Sequence, residues 1–164
     1  MDDWTCADIC DWKGESVNYC DSFPFRHFSR TTKFSGPIET IKCFEDNSRV
    51  KEILSTPGHG KVLVVDGGGS TRRALLGDLI AESAVMNGWS GVLINGVVRD
   101  SDLLARVREL GICAIGTNPR KSDRRGLGTI GEKVDFSGLS FRPGEFVYVD
   151  SDGIIVSDVQ VMRP

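Results

Sequence analysis

The sequence is poor in the residues that mark metal-rich, membrane-spanning or nucleic-acid-binding proteins. It holds two histidines, His27 and His59, too few for a histidine-rich metal site. No apolar run approaches the roughly 20 residues that cross a bilayer. The formal net charge of −3 disfavours a large surface for binding phosphates. We therefore expect neither a membrane protein nor direct nucleic-acid binding.

The cysteines are odd in number and scattered, and they do not form a recognisable metal-binding pattern. Two of them are four residues apart, but no second pair of Cys or His follows at the spacing of a zinc site. The acidic N-terminus lacks the basic and apolar regions of a signal peptide. We therefore expect buried, reduced thiols in a cytoplasmic protein. The five cysteines are Cys6, Cys10, Cys20, Cys43 and Cys113.

The middle of the chain alternates between short apolar runs and helical patterns. The runs KVLVVD (61–66), GVLINGVV (91–98) and ICAIGT (112–117) are typical of strands covered on both faces. Apolar residues recur at helical spacing in the intervening segments. Leu79, Ile80, Ala84 and Val85 predict the apolar, inward-facing stripe of a helix that ends near Asn87-Gly88. Leu103, Leu104, Val107 and Leu110 predict a helix at 101–110 with these four residues facing inward. This order predicts an α/β fold with parallel strands joined by right-handed crossovers.

The two ends of the chain have different patterns. Residues 1–35 are irregular, and we expect a helical segment that packs on the main body. A strand at 36–44 and a helix at 45–54 follow. After residue 128 the pattern predicts antiparallel hairpins, with a tight turn at DSDG (150–153). The length of 164 residues fits a single domain over residues 1–164.

Two loops have compositions that suggest ligand binding. The loop GGGSTRR (67–73) follows a strand, as the glycine-rich loop of a dinucleotide-binding site does. Arg72, however, stands at the position of the last glycine in the fingerprint G-x-G-x-x-G. Its successive glycines could still bind an anion, or the loop could be a flexible turn, and the sequence leaves both open. The basic stretch NPRKSDRR (118–125) is short and interrupted by Asp123, so it favours a solvated loop.

Polar residues stand at the ends of two core elements, with Asp78 before one helix and Arg99-Asp100 directly after a buried strand. Ligands bind outside the carboxyl ends of parallel strands, so these residues could meet at one edge of the sheet. Asp100 would then offer a hard oxygen ligand for Mg²⁺ or Mn²⁺, and Arg99 a fork for a carboxylate. The alternative is structural, because Asp is a favoured helix cap and Arg99 could pair with Asp102 or Asp78.

The sequence resembles a known family, that of the regulator of ribonuclease E activity A, which includes the class II 4-hydroxy-4-methyl-2-oxoglutarate aldolases. The resemblance covers about residues 34–158. It rests on the blocks GPIETIKCFEDN, KVLVVDGGGSTRRALLGD, GWSGVLINGVVRD, AIGTNPRKS and YVDSDGIIVS. It implies a compact α/β/α architecture like that of swivelling domains, in homotrimers or hexamers of two trimers.

The resemblance also implies roles for single residues. The aldolase branch is marked by an Asp, twenty intervening residues and then Arg-Asp, and Asp78, Arg99 and Asp100 complete this pattern. It implies that Asp100 holds a divalent metal (Mg²⁺ or Mn²⁺), that Arg99 contacts substrate and that Asp78 orients a water. The backbone of Gly77, Asp78, Leu79 and Ile80 would receive the carboxylate of a 2-oxo acid.

The implied activity is metal-dependent cleavage of a 4-hydroxy-2-oxo acid to pyruvate, with oxaloacetate decarboxylation at the same site. One position departs from many members of the aldolase branch, since Leu103 stands where they have a further acidic residue and Asp102 lies one residue earlier. The alternative implied by the resemblance is a non-catalytic inhibitor of ribonuclease E. Members of that kind lack the acidic residue after the Arg, so Asp100 favours the enzyme.

Overall fold

The fold is built around one mixed β-sheet, with helices packed on it. The computed structural model describes residues 3–164. Within those residues the α-helices are α1 (Cys6–Lys13), α2 (Ser48–Leu54), α3 (Asp78–Met86) and α4 (Ser101–Leu104). The strands are β1 (Asn18–Tyr19), β2 (Arg26–His27), β3 (Phe34–Lys42), β4 (Val62–Asp66), β5 (Ala74–Leu76), β6 (Gly91–Val98), β7 (Gly111–Thr117), β8 (Thr129–Ile130), β9 (Val134–Phe136), β10 (Leu139–Phe141), β11 (Phe146–Val149) and β12 (Ile154–Ser157).

The centre of the sheet is parallel and its margins are antiparallel. The strand order is β1-β12-β11-β3-β4-β6-β7-β2, with β5 paired to β6 and β8 paired to β3. The strands β3, β4, β6 and β7 run parallel to one another. The strands β11 and β12 form a hairpin around residues 150–153, and β9 and β10 form another. The mixed α/β class, the parallel centre and the C-terminal hairpins are as the sequence predicts.

The central strands are apolar throughout because both of their faces are covered. Along β4, Leu63 and Val65 face a core shared with α2 and α3, while Val62 and Val64 face a second core. The second core is closed by the β9–β10 hairpin and by buried phenylalanines. This alternation follows from the two-residue period of a strand. It explains why neither face of β4 carries a polar residue before Asp66.

The edge of the second core depends on a close approach to two glycines. Gly91 and Gly111 are paired between β6 and β7, and the Phe34 ring lies against both. A Cβ atom on Gly91 would come within 2.2 Å of the Phe34 ring, and one on Gly111 within 2.0 Å. Side chains at these positions would therefore displace Phe34 from the core.

The N-terminal residues contact the antiparallel side of the sheet, and less of this segment is helical than predicted. Trp4, Cys6 and Ile9 form a small core with Tyr148 and Ile155. After α1 the chain makes a short 3-10 turn and then contributes only the two-residue strands β1 and β2. No α-helix occurs between residues 14 and 35, so the prediction of a helical segment is wrong for most of this region.

The predicted helix at 101–110 ends at Leu104. Beyond it the backbone carbonyls bond to the N-terminal segment instead of to the helix: Val107 accepts from the Arg30 N–H at 2.9 Å, and Leu110 accepts from the Ser29 hydroxyl at 2.6 Å. Leu104 and Leu110 are buried as predicted, but Leu103 is 45% exposed. On α3 the inward residues are Ile80, Ala81 and Ala84, so the inward placement of Leu79 is also wrong.

The cysteines divide into buried and accessible thiols. Cys6, Cys43 and Cys113 are buried, Cys20 is half-buried and Cys10 is exposed, and all five are free thiols. Burial raises the pKa of Cys43 and of Cys113 to about 12, so both remain neutral at physiological pH. The expectation of reduced thiols therefore fits, although not every cysteine is buried.

Across residues 3–164, no helix has the length and apolar character that a membrane crossing requires.

Candidate active site

The two strand ends singled out in the sequence meet at one edge of the sheet. The strands β4 and β6 are direct parallel neighbours, and the short strand β5 pairs with the C-terminal end of β6, at Val97 and Val98. The Arg99 N–H donates to the Leu76 carbonyl at 2.9 Å, which ties the end of β6 to the end of β5. The residues that follow each strand, Gly77-Asp78 and Arg99-Asp100, are therefore held side by side.

The Asp100 side chain bonds across this edge and does not cap its own helix. The Asp78 N–H, at the start of α3, donates to Asp100 Oδ2 at 3.2 Å. Asp100 precedes α4 but makes no side-chain cap bond to it, so the capping interpretation of Asp100 is wrong. Its backbone is left-handed, with φ 57° and ψ 39°, a conformation that Asp tolerates better than most residues. The carboxylate is one-third exposed and opens to solvent.

Arg99 and Asp78 complete the polar edge. Arg99 Nε lies 3.9 Å from Asp100 Oδ2, so the guanidinium is beside that carboxylate and not paired with Asp102 or Asp78. Asp78 is the first residue of α3, and the cap position belongs to Gly77, which has no side chain to cap with. Asp78 therefore lines the cleft without capping α3.

Gly77 is required by the closeness of these groups. A Cβ atom at this position would lie 2.6 Å from Asp100 Oδ2 and 3.4 Å from the Arg99 side chain. The φ of Gly77 is −133°, which any residue adopts, so the requirement comes from space alone. Gly77 thus lets the Asp100 carboxylate reach the first amide of α3.

The start of α3 presents free hydrogen-bond donors to the same cleft. Within residues 3–164, nothing accepts a hydrogen bond from the backbone N–H of Leu79 or of Ile80. Both residues line the cleft with Asp78, Arg99 and Asp100. Free amides and the helix dipole favour a negative group at this point.

The loop 118–125 forms the opposite wall of the cleft. Lys121, Ser122 and Arg124 line it, together with Asn47 at the start of α2. Lys121 and Arg124 are exposed, as expected for a solvated loop, and they border the cleft as well, whereas Ser122 is buried. The density of basic residues in NPRKSDRR was the sequence signal for a role of this loop at the cleft. The position of the loop against β5, however, depends on contacts between residues far apart in the sequence. Ala74 N, for example, donates to the Arg120 carbonyl at 2.8 Å.

The Gly-rich loop does not form a comparable site. The Gly68 N–H donates to Asp66 Oδ1 at 2.9 Å, and the Gly67 and Gly69 N–H groups both donate to the Asn95 carbonyl. Arg72 pairs with Glu45 at 2.6 Å, and hydrogen bonds from Ser70 and Arg72 lower the pKa of that carboxyl. Because these amides and charges already have partners, the loop is a hydrogen-bonded turn and offers little to an anion.

The donor set fits a hard divalent cation that keeps most of its waters. Among residues 3–164, no group of three or more His, Cys, Asp or Glu side chains is arranged to hold a metal ion. A zinc-like site with several protein ligands is therefore not built there. Mg²⁺ needs only one or two carboxylates, and Asp100 supplies one whose Oδ1 has no hydrogen-bond partner within the described residues.

Comparison with known proteins identifies the family. The family model RraA-like, described as Aldolase/RraA, matches residues 6–156. The chain belongs to this family. A relative from Pseudomonas paraeruginosa, with the provisional name 4-hydroxy-4-methyl-2-oxoglutarate aldolase, is 52% identical over 161 residues, 98% of each chain. A relative of the same provisional name from Hahella chejuensis is 48% identical over 161 residues, 98% of this chain and 97% of the other.

Two solved structures match almost the whole of this chain and have nearly the same fold. The RNA-processing inhibitor RraA from Thermus thermophilis has a TM-score of 0.92 at 34% identity, covering 99% of this chain and 96% of the other. The S-adenosylmethionine:2-dimethylmenaquinone methyltransferase from Geobacillus kaustophilus has a TM-score of 0.93 at 42% identity, covering 96% and 97%. The names of these RraA-like relatives describe three different activities, so the comparisons decide the family and the fold but not the reaction.

Proposed function

We propose that this RraA-like protein is a lyase that cleaves 4-hydroxy-4-methyl-2-oxoglutarate or a similar acid to pyruvate, with a divalent cation at Asp100. One observation carries the proposal. The Asp100 carboxylate lies in an open cleft, 3.2 Å from the first amide of α3 and beside the Arg99 guanidinium. The provisional names of relatives about 50% identical support the same substrate class.

The reaction breaks the bond between C3 and C4 of the substrate. The C4 hydroxyl loses its proton, C4 becomes the carbonyl carbon of one pyruvate, and the bonding electrons pass into the enolate of the other. That enolate becomes pyruvate when C3 takes up a proton. When bound, a divalent cation would supply Lewis-acid charge that favours this enolate.

The residues of the chain have separate parts in this scheme. The free N–H groups of Leu79 and Ile80 bind the carboxylate next to the 2-oxo group. Arg99 adds fixed positive charge where the enolate oxygen develops. Asp78, at the mouth of the cleft, orients a water that accepts the hydroxyl proton. Asp100 holds the cation, and Gly77 keeps room for its carboxylate.

Oxaloacetate decarboxylation follows from the same arrangement. In oxaloacetate the bond from C3 to the C4 carboxylate breaks, CO₂ leaves, and the electrons form the same pyruvate enolate. No proton acceptor is needed for this reaction, because no hydroxyl is deprotonated. We therefore expect it to depend on Asp100 and Arg99 but much less on Asp78.

The test is pyruvate release from both substrates with Mg²⁺, with Mn²⁺ and with EDTA. We expect Asp100→Asn, which can still accept the Asp78 N–H bond, to lower metal-dependent turnover by at least about a hundredfold. The control is Asp158→Asn, a change at an exposed carboxylate outside the cleft and outside α3, and we expect wild-type rates. Turnover that survives EDTA or Asp100→Asn would contradict the proposal.

A second candidate function is inhibition of a ribonuclease by protein binding. It is favoured by the 0.92 TM-score to the RNA-processing inhibitor from Thermus thermophilis. A protein of this kind would inhibit an RNase E-type endonuclease equally well with or without the Asp100→Asn substitution. Inhibition that this substitution leaves intact, together with absent pyruvate release, would favour this function over the lyase.

A further inference from the structure

The short strand β5 joins the two halves of the site. It pairs with β6 at Ala74 and at Leu76, and the register is irregular between these two residues. Leu76 is followed directly by Gly77 and the first amides of α3. A shift of β5 would therefore change the distance between those amides and the Asp100 carboxylate.

Each carbonyl of β5 accepts a hydrogen bond from a different part of the chain. The residues of β5 are at most 3% exposed, so a carbonyl without a donor would be costly there. Two of the three donors are side chains, which a substitution can remove. The bonds are from Ser122 Oγ to Ala74 at 2.8 Å, from Asn47 Nδ2 to Leu75 at 3.3 Å and from the Arg99 N–H to Leu76 at 2.9 Å.

The loop 118–125 binds both backbone polar groups of Ala74. The Arg120 carbonyl accepts from the Ala74 N–H at 2.8 Å, and the Ser122 hydroxyl donates to the Ala74 carbonyl. Ser122 is only 6% exposed although it borders the cleft. Because its hydroxyl hydrogen is directed at β5, the interaction of Ser122 with the strand takes precedence over one with a ligand.

The start of α2 shows the same preference for β5. Asn47 is at the cap position of this helix, but its side chain makes no cap bond and reaches the Leu75 carbonyl instead. The Ser48 N–H is bonded by Asp46 Oδ1 at 2.9 Å. Asn is a favoured cap residue, so its use on β5 indicates that the position of this strand matters.

We propose that Ser122 is a positioning residue for the reaction. Its hydroxyl holds the Ala74 carbonyl and so determines where β5 ends and where the Leu79 and Ile80 amides lie relative to Asp100. This inference rests on the proposed function. Without the hydroxyl, the buried carbonyl has to find another donor, and β5 moves with it. The amides that bind the substrate carboxylate are then displaced from the carboxylate that holds the cation.

The experiment compares Ser122→Ala with a change that removes the same kind of bond elsewhere. In Ser29→Ala the lost bond is the one from a buried hydroxyl to the Leu110 carbonyl at 2.6 Å, and Ser29 does not line the cleft. We expect both variants to lower the urea midpoint of unfolding to a similar extent. Only Ser122→Ala should lower kcat per folded enzyme, at least about tenfold, and raise KM.

The loss should have the same size for 4-hydroxy-4-methyl-2-oxoglutarate and for oxaloacetate, because both reactions use the same amides and pass through the same enolate. If the wild type is active, kcat and KM of Ser122→Ala that equal the wild-type values per folded enzyme would overturn the inference. The same losses in Ser29→Ala would also overturn it, since the effect would then come from stability alone.

Backbone chemical shifts separate this inference from the proposed function. In ¹H–¹⁵N spectra of the ligand-free protein, Ser122→Ala should change the shifts of the Leu79 and Ile80 amides, and Ser29→Ala should not. A serine that acted only by touching substrate would leave both shifts unchanged. If the wild type cleaves neither substrate, changed shifts still support the placement of α3 by Ser122. Unchanged shifts contradict it whether or not the protein is a lyase.

Discussion

Single residues at the strand ends determine what this cleft can bind. Asp100 leaves its own helix uncapped and turns its carboxylate toward α3, in a left-handed backbone conformation. The residues that permit this are Gly77, which gives it space, and Leu76, whose carbonyl holds the Arg99 amide. A residue kept in an uncommon backbone conformation while making no local cap is more simply explained by the site than by helix stability.

Gly77→Ala should damage the site more than the fold. Its Cβ would lie 2.6 Å from Asp100 Oδ2, so the carboxylate has to move away from the first amide of α3. The displaced atom is the end of a side chain, so we expect a loss of about 1 kcal/mol or less in the free energy of unfolding. Metal-dependent pyruvate release should fall at least about tenfold. Urea denaturation and the pyruvate assay measure the two effects.

Gly153→Ala is the control for this change, because a Cβ there meets no atom within 4 Å. We expect it to leave both quantities unchanged. Full activity in Gly77→Ala would mean that the position of the Asp100 carboxylate does not matter to the reaction.

At the same scale, the sequence predicted one wall of the cleft and not the other. Arg99 and Asp100 follow β6, a strand that was predicted, and Asp78 follows β5, whose pairing with the end of β6 brings the three residues together. Lys121 and Arg124 reach the cleft only because their loop bonds back to Ala74 and Asp46. Contacts at that separation leave no periodic signal in the sequence.

Among the secondary-structure elements, the long strands were predictable and the short ones were not. The strands β4, β6 and β7 are continuous apolar runs bounded by turns, and their predicted positions are correct within a residue or so. The three-residue strand β5 was not predicted, because a run as short as ALL fits a strand or a helix equally well. It carries Leu76, the residue that joins the two halves of the site, so the missed element is the one that positions Arg99.

The start of α2 should lose its stability in acid. Burial would raise the pKa of Asp46, but hydrogen bonds from the Ser48 side chain, the Ser48 N–H and the Arg125 N–H outweigh it and lower that pKa. A carboxyl whose pKa is lowered by folding adds stability above its unfolded pKa of about 3.9 and loses it as pH falls through the folded value. We expect Asp46→Asn to lower the free energy of unfolding by about 1–3 kcal/mol at pH 7.

That difference should shrink as pH falls below about 4, because the wild-type carboxyl then also becomes neutral. Urea titrations at several pH values measure it, and the exposed Asp158→Asn is the control. If the loss in the free energy of unfolding caused by Asp46→Asn stays constant down to pH 3, the charge of Asp46 does not stabilise the junction between α2 and the loop 118–125.

At the scale of the whole molecule, three large apolar side chains are exposed on the neighbouring helices α3 and α4. Leu79 and Met86, seven residues apart on the same face of α3, are 74% and 80% exposed, and Leu103 on the adjacent α4 is 45% exposed. Large apolar side chains grouped in this way favour an interface between proteins. The two positions at which the sequence wrongly predicted inward-facing leucines, 79 and 103, both belong to this surface. An apolar periodicity predicts that a side chain is buried. It does not predict whether the side chain is buried in the core of one chain or at a contact between two chains.

We propose that α3 and α4 lie at a contact between subunits, and the family resemblance implies that the assembly is a homotrimer or a hexamer of two trimers. The chain mass is 17.9 kDa, so a trimer would have a mass of roughly 54 kDa and a hexamer roughly 107 kDa, which analytical ultracentrifugation resolves.

The assembly can be tested by placing a charge among Leu79, Met86 and Leu103. Met86→Lys should shift the protein toward the monomer, because an unpaired ammonium is costly to bury. Met162→Lys makes the same change at another exposed methionine, outside α3 and α4, and should leave the assembly intact. Because Leu79 also lines the cleft, dissociation by Met86→Lys should lower pyruvate release in parallel with the loss of assembly. A wild-type protein that sediments as a monomer at micromolar concentration would contradict this expectation.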